Sequence, residues 1–389
     1  MANYTISSDY GSVFGMDVHA RSITVKGFNW PTGEERTRTF ADCPAASEIV
    51  SWMGENFEPP HYAAYESGCT GFHLCKEMRA LGVDCDVVAV SSIARSGKDK
   101  AGKNDKRDAN RLLAELVSPK RDYTVVWVPD SECEALRDLA RARADAVADV
   151  KRSKQQASAL LLRHGHVWNE KTASGKSLKK TWGADYMRWL SRIEFDDPAD
   201  KEALAFYRRS VEENAERVAR MERSIEEAAA RPRWKPYVDA LTLIKGIDLQ
   251  TAFLLAVEFG DFHRFRNGRS VSGWIGTVPS EDSSGPRVAR GSITKAGNAH
   301  CRRALIEGIQ CIGRHSAEAV KPRVGQDVSP DVLRHCRAAS ERLRKRYRHL
   351  VNDLKVPKNK AKVAIASELA RWVWAVGCMV EDECRVAAR

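Results

Sequence analysis

Val13-Phe14-Gly15-Met16-Asp17-Val18 is an apolar run with one carboxylate inside it. Burying a charge is costly unless it is paired, so an acid in such a run needs something to compensate it. The combination recurs in His61-Tyr62-Ala63-Ala64-Tyr65-Glu66, where the acid ends the run. Around the first run, residues 12–19 read as a strand. Residues 22–29 read as a second, close enough for a hairpin, and 36–40 as a third after the turn at Pro31-Thr32-Gly33. The spacing of Ile49, Val50, Met53 and Phe57 predicts a helix over 45–57, stopped by Pro59-Pro60. A strand at 61–66, a helix at 70–81, a buried strand at 84–90 and a helix from about 105 to 117 follow. Three meander strands need only short turns, whereas the later parallel strands need helical crossovers.

This order of elements resembles a ribonuclease-H-like (RuvC-like) α/β fold. In that topology Asp17 lies on the central strand and Glu66 on the strand beside it. Asp105 and Asp108, within Lys103-Asn104-Asp105-Lys106-Arg107-Asp108-Ala109-Asn110-Arg111, are spaced to share one face of the closing helix. All four can then converge on one edge of the sheet. Each has a plainer reading alone: an Asp capping a turn, acids favouring the positive end of a helix dipole, a solvated Glu before Ser67-Gly68. Together, in this order, they predict a divalent-metal centre with Asp17, Glu66, Asp105 and Asp108 as ligands for Mg2+ or Mn2+.

The 389 residues include 63 Lys/Arg against 52 Asp/Glu, a net charge of +11. That excess favours a polyanionic partner, nucleic acid before a membrane surface. The best apolar stretch, residues 363–380, carries Glu368 and Arg371 and reads as an amphipathic helix rather than a span. No secretory signal is visible, and 10 cysteines without a C-x-x-C pair predict reduced, mostly buried thiols of a cytosolic protein. Val211, Val218 and Ile225 recur at heptad spacing, which predicts a central coiled-coil hairpin or dimerising helices, interrupted by a polar loop at 170–183. Past Pro232 and Pro236, residues 241–255 resemble a helix-hairpin-helix, with Asp248 where a glycine is usual; DNA contact and plain packing are both open. Residues 274–295 read as a Ser/Gly/Pro-rich loop, and helices are expected at 299–315, 331–350 and 358–380. The expected domains are 1–125, catalytic; 126–236, helical; and 237–389, mainly α.

Gly15-Met16-Asp17-Val18-His19-Ala20, Glu66-Ser67-Gly68 and Asn104-Asp105-Lys106-Arg107-Asp108-Ala109 resemble the DEDD motif of the insertion-sequence one-ten transposase family, which includes the Piv invertase. A second block agrees: Leu243-Ile244-Lys245-Gly246-Ile247, Gly273-Trp274-Ile275-Gly276-Thr277-Val278-Pro279, Ser283-Ser284-Gly285, Gly291-Ser292-Ile293-Thr294-Lys295-Ala296-Gly297-Asn298 and Arg302-Arg303-Ala304-Leu305. The resemblance covers residues 10–120 and 238–315. It implies a DNA transposase or recombinase that pairs a RuvC-like domain with a C-terminal transposase domain. It also implies Ser284 as nucleophile through a phosphoserine intermediate, with Ser283 one alignment step away, and a structured bridge RNA that pairs with donor and target DNA. A serine hydroxyl needs activation, and neither serine has a base nearby in sequence. The two domains must therefore meet, from one subunit or two; a dimer or tetramer is expected.

Lys98, Lys100, Lys103, Lys106 and Arg107 flank the acids, and Arg287, Arg290, Lys295, Arg302 and Arg303 flank the serines. They are candidates for phosphate contact, which positions a protein without reading sequence, with a solvated charged face as the plainer reading. Residues 321–362 add 13 Lys/Arg against 4 Asp/Glu. Two rival functions are a RuvC-like junction endonuclease using water, and a non-catalytic nucleic-acid-binding protein.

Overall fold

The computed structural model describes residues 9–90, 105–118, 123–171, 175, 182–281, 290–312 and 321–387. Contacts divide the chain into two units, Met1–Pro129 and Asp130–Arg389.

In the first unit, alternation of side chains makes Ser12–Val18 (β1), Ile23–Asn29 (β2) and Glu35–Phe40 (β3) an antiparallel meander. The helix Ala46–Asn56 (α1) leads to His61–Glu66 (β4), and the helix His73–Ala80 (α2) to Asp84–Val88 (β5), both strands adding in parallel. Asp105–Val117 (α3) follows, and the short Val125–Val126 (β6) closes on β5. The strand order is β3-β2-β1-β4-β5-β6. Phe14, Met16, Ala63, Tyr65, Val87 and Cys85 pack on one face with Ile49, Met53, Cys75 and Met78 of α1 and α2. Val13, Tyr62, Ala64 and Val88 pack on the other with Leu112, Leu113 and Leu116 of α3. A mixed sheet with helices on both faces is compatible with the expected ribonuclease-H-like domain. The outermost strand β3 exposes Glu35, Arg36 and Arg38.

In the second unit, Ser131–Arg163 (α4) starts at Asp130, whose carboxylate accepts from the Cys133 amide at 2.9 Å. It passes through Ala184–Ser191 (α5) to Pro198–Ala229 (α6), which pairs with α4. The contacts run in opposite directions along the two helices: Arg143 meets Glu222, Ser153 meets Asn214, and His164 meets Asp200. Antiparallel pairing fits the predicted hairpin, and the heptad residues Val211 and Ile225 are buried in it. Lys235–Leu241 (α7), Leu249–Phe259 (α8), Gly268–Trp274 (α9), Pro279–Glu281 (β7), Arg290–Ile293 (β8), Ala299–Ile312 (α10), Pro330–Arg348 (α11), a π-helical turn His349–Asp353 and Lys358–Ala387 (α12) complete the unit. α12 is long and apolar enough to cross a membrane by length and composition, yet it packs against α7, α9, α10 and α11 through residues such as Ile365, Leu369 and Val373.

One expectation changes here and one open reading narrows. Residues 274–295 are not loop throughout, because β7 and β8 pair within them as a hairpin. In the α7–α8 turn, Lys245 N–H donates to Ser340 Oγ at 3.0 Å and Asp248 caps α8 by accepting from Thr251 N–H at 2.8 Å. With Leu243, Ile244 and Ile247 also buried, these groups are spent on packing rather than presented to a phosphate. Among the described cysteines, Cys75, Cys85, Cys133, Cys301 and Cys336 are buried, Cys378 is half-buried, and Cys43, Cys69 and Cys384 are exposed.

Candidate functional site

β1 and β4 pair in parallel with Gly15 opposite Ala64 and Met16 opposite Tyr65. One step further along this register sit Asp17 and Glu66. Strand side chains alternate, so Asp17 shares the face of Gly15 and Val13, and Glu66 that of Ala64 and Tyr62. That is the face covered by α3. Gly15 sets how close the helix comes: a Cβ there would lie 2.6 Å from both the Ala109 carbonyl oxygen and the Leu113 nitrogen. Leu116 packs near the strand starts with Val13 and Tyr62, so α3 runs back along β1 and its first turn reaches the strand ends. From Gly15 to Asp17 is about 7 Å along a strand. From Ala109 back to Asp105 is about 6 Å along a helix, so the first turn of α3 comes to nearly the same level as Asp17 and Glu66.

Arg111 records that meeting directly. Its guanidinium donates to Glu66 Oε1 and lies 3.6 Å from Asp108 Oδ1. Asp17 is 17% exposed, and its Oδ2 is 3.2 Å from His19 Nε2. Asp17, Glu66 and Asp108 thus stand at one end of the sheet; the backbone of Asp105 opens α3 one turn earlier, and its side chain is outside the described part. Among the described residues no group of three acids, His or Cys is already drawn in to metal-ligand spacing. The donor chemistry nonetheless fits a hard cation, since carboxylate oxygens come from neighbouring rigid elements and already gather a positive charge between them. Arg111 escaped notice in the sequence because an Arg three residues after an Asp on a helix looks like an ordinary surface pair.

Ser283, Ser284 and Arg287 fall in residues 282–289, outside the described residues, on the segment joining β7 to β8. The base of that hairpin is defined. Gly276 and Gly297 have φ of +68° and +76°, and a Cβ on either would lie 2.0 Å from the carbonyl oxygen of Ala296 or Trp274 respectively. The Asn298 amide donates to Glu258 Oε2 at 2.7 Å while its oxygen accepts from Cys301 N–H at 2.9 Å, capping α10. Glu258, 1% exposed, also takes two hydrogen bonds from Arg141, at 2.8 and 3.0 Å. Burial pushes its carboxyl up, but the hydrogen bond and charge of Arg141, the charge of Arg137 and the Asn298 bond outweigh this, leaving it below the usual carboxylate range.

The basic candidates separate. Arg302 donates to the carbonyls of Ile275 at 2.8 Å and Ala296 at 3.4 Å, so it braces the hairpin base. Lys295 and Arg303 are exposed. Lys98, Lys100 and Lys103 lie outside the described residues; Lys106 and Arg107 belong to α3 and Arg290 to β8 through their backbones alone. On α11, Arg337 and Arg348 are exposed, Arg334 is exposed and paired with Asp331, and Arg342 and Arg346 both bind Glu368.

Two family descriptions match the chain: a DEDD-type transposase over residues 14–165, and "Transposase IS116/IS110/IS902 family" over residues 238–324. Among similar proteins, y4qE of Sinorhizobium fredii, whose name gives it as a transposase, is 36% identical over 324 residues, spanning 81% of this chain and 75% of its own. The transposase for insertion sequence element IS1533 of Leptospira borgpetersenii is 32% identical, over 54% of this chain and 58% of its own. The "Probable family 20 transposase" of Pseudomonas aeruginosa is 26% identical over 82% and 84%. With acids gathered at the sheet end and both matched blocks in order, the chain belongs to the IS110 family of DEDD insertion-sequence transposases.

Proposed function

We propose that this transposase is a metal-dependent recombinase with a RuvC-like catalytic domain, in which Ser284 attacks DNA and a bridge RNA selects donor and target. The observation that carries the reading is the shared level of Asp17, Glu66 and Asp108 at one sheet end, fixed by the β1–β4 register and the Gly15–α3 contact. Asp17, Glu66, Asp105 and Asp108 are the residues that would hold Mg2+ or Mn2+. A divalent cation there would supply positive charge to the scissile phosphate and the leaving oxygen. In the serine step the Ser284 Oγ–P bond forms as the P–O3′ bond breaks; the serine loses its proton and the 3′ oxygen leaves as a hydroxyl. The phosphodiester energy is kept in the phosphoserine, so rejoining needs no ATP. Lys295, Arg303 and the exposed arginines of α11 would hold nucleic-acid backbone, with Lys103, Lys106, Arg107, Arg287 and Arg290 as further candidates. In this reading residues 1–125 are catalytic, 126–236 are the helical link, 237–389 carry the serine, and the working form is a dimer or tetramer in the cytoplasm.

The test is a covalent adduct. DNA bearing an element end, incubated with protein and Mg2+, should yield a denaturant-resistant protein–DNA band. The band is expected to vanish in Ser284→Ala and cleavage to vanish in Asp17→Ala. A band lost in Ser283→Ala instead reassigns the nucleophile, and cleavage with no band in any variant points to hydrolysis by water. Sequencing RNA bound to the purified protein tests guidance; an active protein carrying no structured RNA overturns that part.

A further inference from the structure

A guanidinium between two carboxylates could be an ordinary surface pair, worth little. Arg111 differs in three ways. It is 17% exposed, it joins side chains on separate elements, and its Nε is buried without a hydrogen-bond partner among the described residues. Its fork takes Glu66 Oε1 with one nitrogen and lies beside Asp108 Oδ1 with the other. Without it, Glu66 and Asp108 would be left as like charges at one place, which is unfavourable away from bulk water. These carboxylates are also the ones assigned above as metal ligands. A divalent cation would draw on the same two carboxylates, and its charge would repel the guanidinium beside it, so the two occupancies compete.

We propose that Arg111 is a built-in counter-cation of the acidic centre, bridging Glu66 and Asp108 until a divalent metal displaces it. The inference rests on the reading of these acids as metal ligands. Arg111 is a positioning residue in this scheme: it holds α3 against the end of β4 with the acids already gathered, and every metal-binding event is weakened by the contacts that must be broken. Arginine suits the role because its planar fork spans two acceptors, whereas a lysine is a single point charge.

The experiment uses the full-length protein stripped with a chelator. Mn2+ uptake is followed by the electron paramagnetic resonance of unbound Mn2+, and melting is measured without metal. Arg111→Gln is expected to bind Mn2+ about tenfold more tightly, the scale of one released charge-assisted hydrogen bond. The same variant should melt lower without metal and gain more than wild type on adding Mn2+. Arg111→Lys, which keeps the charge but not the bridge, should fall between the two. If the Gln variant does not fold, Arg111→Met fills the space and takes its place. Wild type that binds Mn2+ at these acids, with Arg111→Gln binding no more tightly, overturns the proposal alone. A wild-type titration identical to that of Asp17→Asn overturns the metal reading, and the proposal with it.

Discussion

Gly15 and Glu258 show how much a single side chain can decide. At Gly15 even a methyl group would strike the α3 backbone, and backbone moves only with its helix. Gly15→Val is expected to lower stability by about 1–3 kcal/mol through overpacking. Urea unfolding measures this, and DNA cleavage should fall with it, since the shift moves Asp108 away from Glu66. Glu258 is a buried acid held by the buried Arg137 and the part-exposed Arg141. Glu258→Gln leaves Arg137 and Arg141 without their countercharge and is expected to cost about 3–5 kcal/mol. The sign with pH follows from the depressed carboxyl: its stabilisation is complete above the pKa of an unfolded glutamate, about 4.3, and is lost as pH falls through the lower folded value. Urea melts across that acid range should therefore show a wild-type loss that the Gln variant lacks. A wild type as insensitive to acid as the variant would contradict the Arg141 pairing. Neither role was legible beforehand. A glycine in an apolar run and a glutamate ending a helix are common; their meaning lies in partners 117 residues away in the case of Arg141.

Elements were more legible, for a physical reason. β1, β2, β4 and β5 bury both faces or alternate, and α1, α2 and α3 repeat apolar residues each turn, so their periods survive in the sequence. The acids at the strand ends were therefore readable with the fold. β6 spans two residues, too few to show a period, and α5 is held by an aromatic cluster of Tyr186, Trp168 and Trp189 that forms only after folding. The β7–β8 hairpin hid inside a Ser/Gly/Pro-rich stretch because backbone crossings at Gly276 and Gly297 fix it rather than side-chain alternation. Gly297→Ala tests that base. A Cβ would collide with the Trp274 carbonyl, so the covalent adduct should fall sharply while Mn2+ uptake by the acidic centre stays at the wild-type level. An unchanged adduct yield would show that the crossing does not position the serine segment.

At the scale of the whole molecule, charge sets the behaviour. A net +11 predicts nucleic-acid binding that weakens steeply with salt. The exposed Arg334, Arg337 and Arg348 on α11 are the test. Each Arg→Ala change should weaken binding across unrelated sequences alike and flatten the log affinity against log salt by about one unit where a phosphate contact is lost. Fluorescence anisotropy at several salt concentrations reads both, and an unchanged slope would remove that helix from the interface. Arg342 and Arg346, already bound to Glu368, should instead affect melting. The borders of the six-stranded sheet carry one more consequence. A bare strand edge is a template for foreign strands and a seed of aggregation. Here one border, β3, bristles with Glu35, Arg36 and Arg38, and the other, β6, ends after two residues. The sheet is therefore guarded against edge-to-edge pairing between copies of the chain.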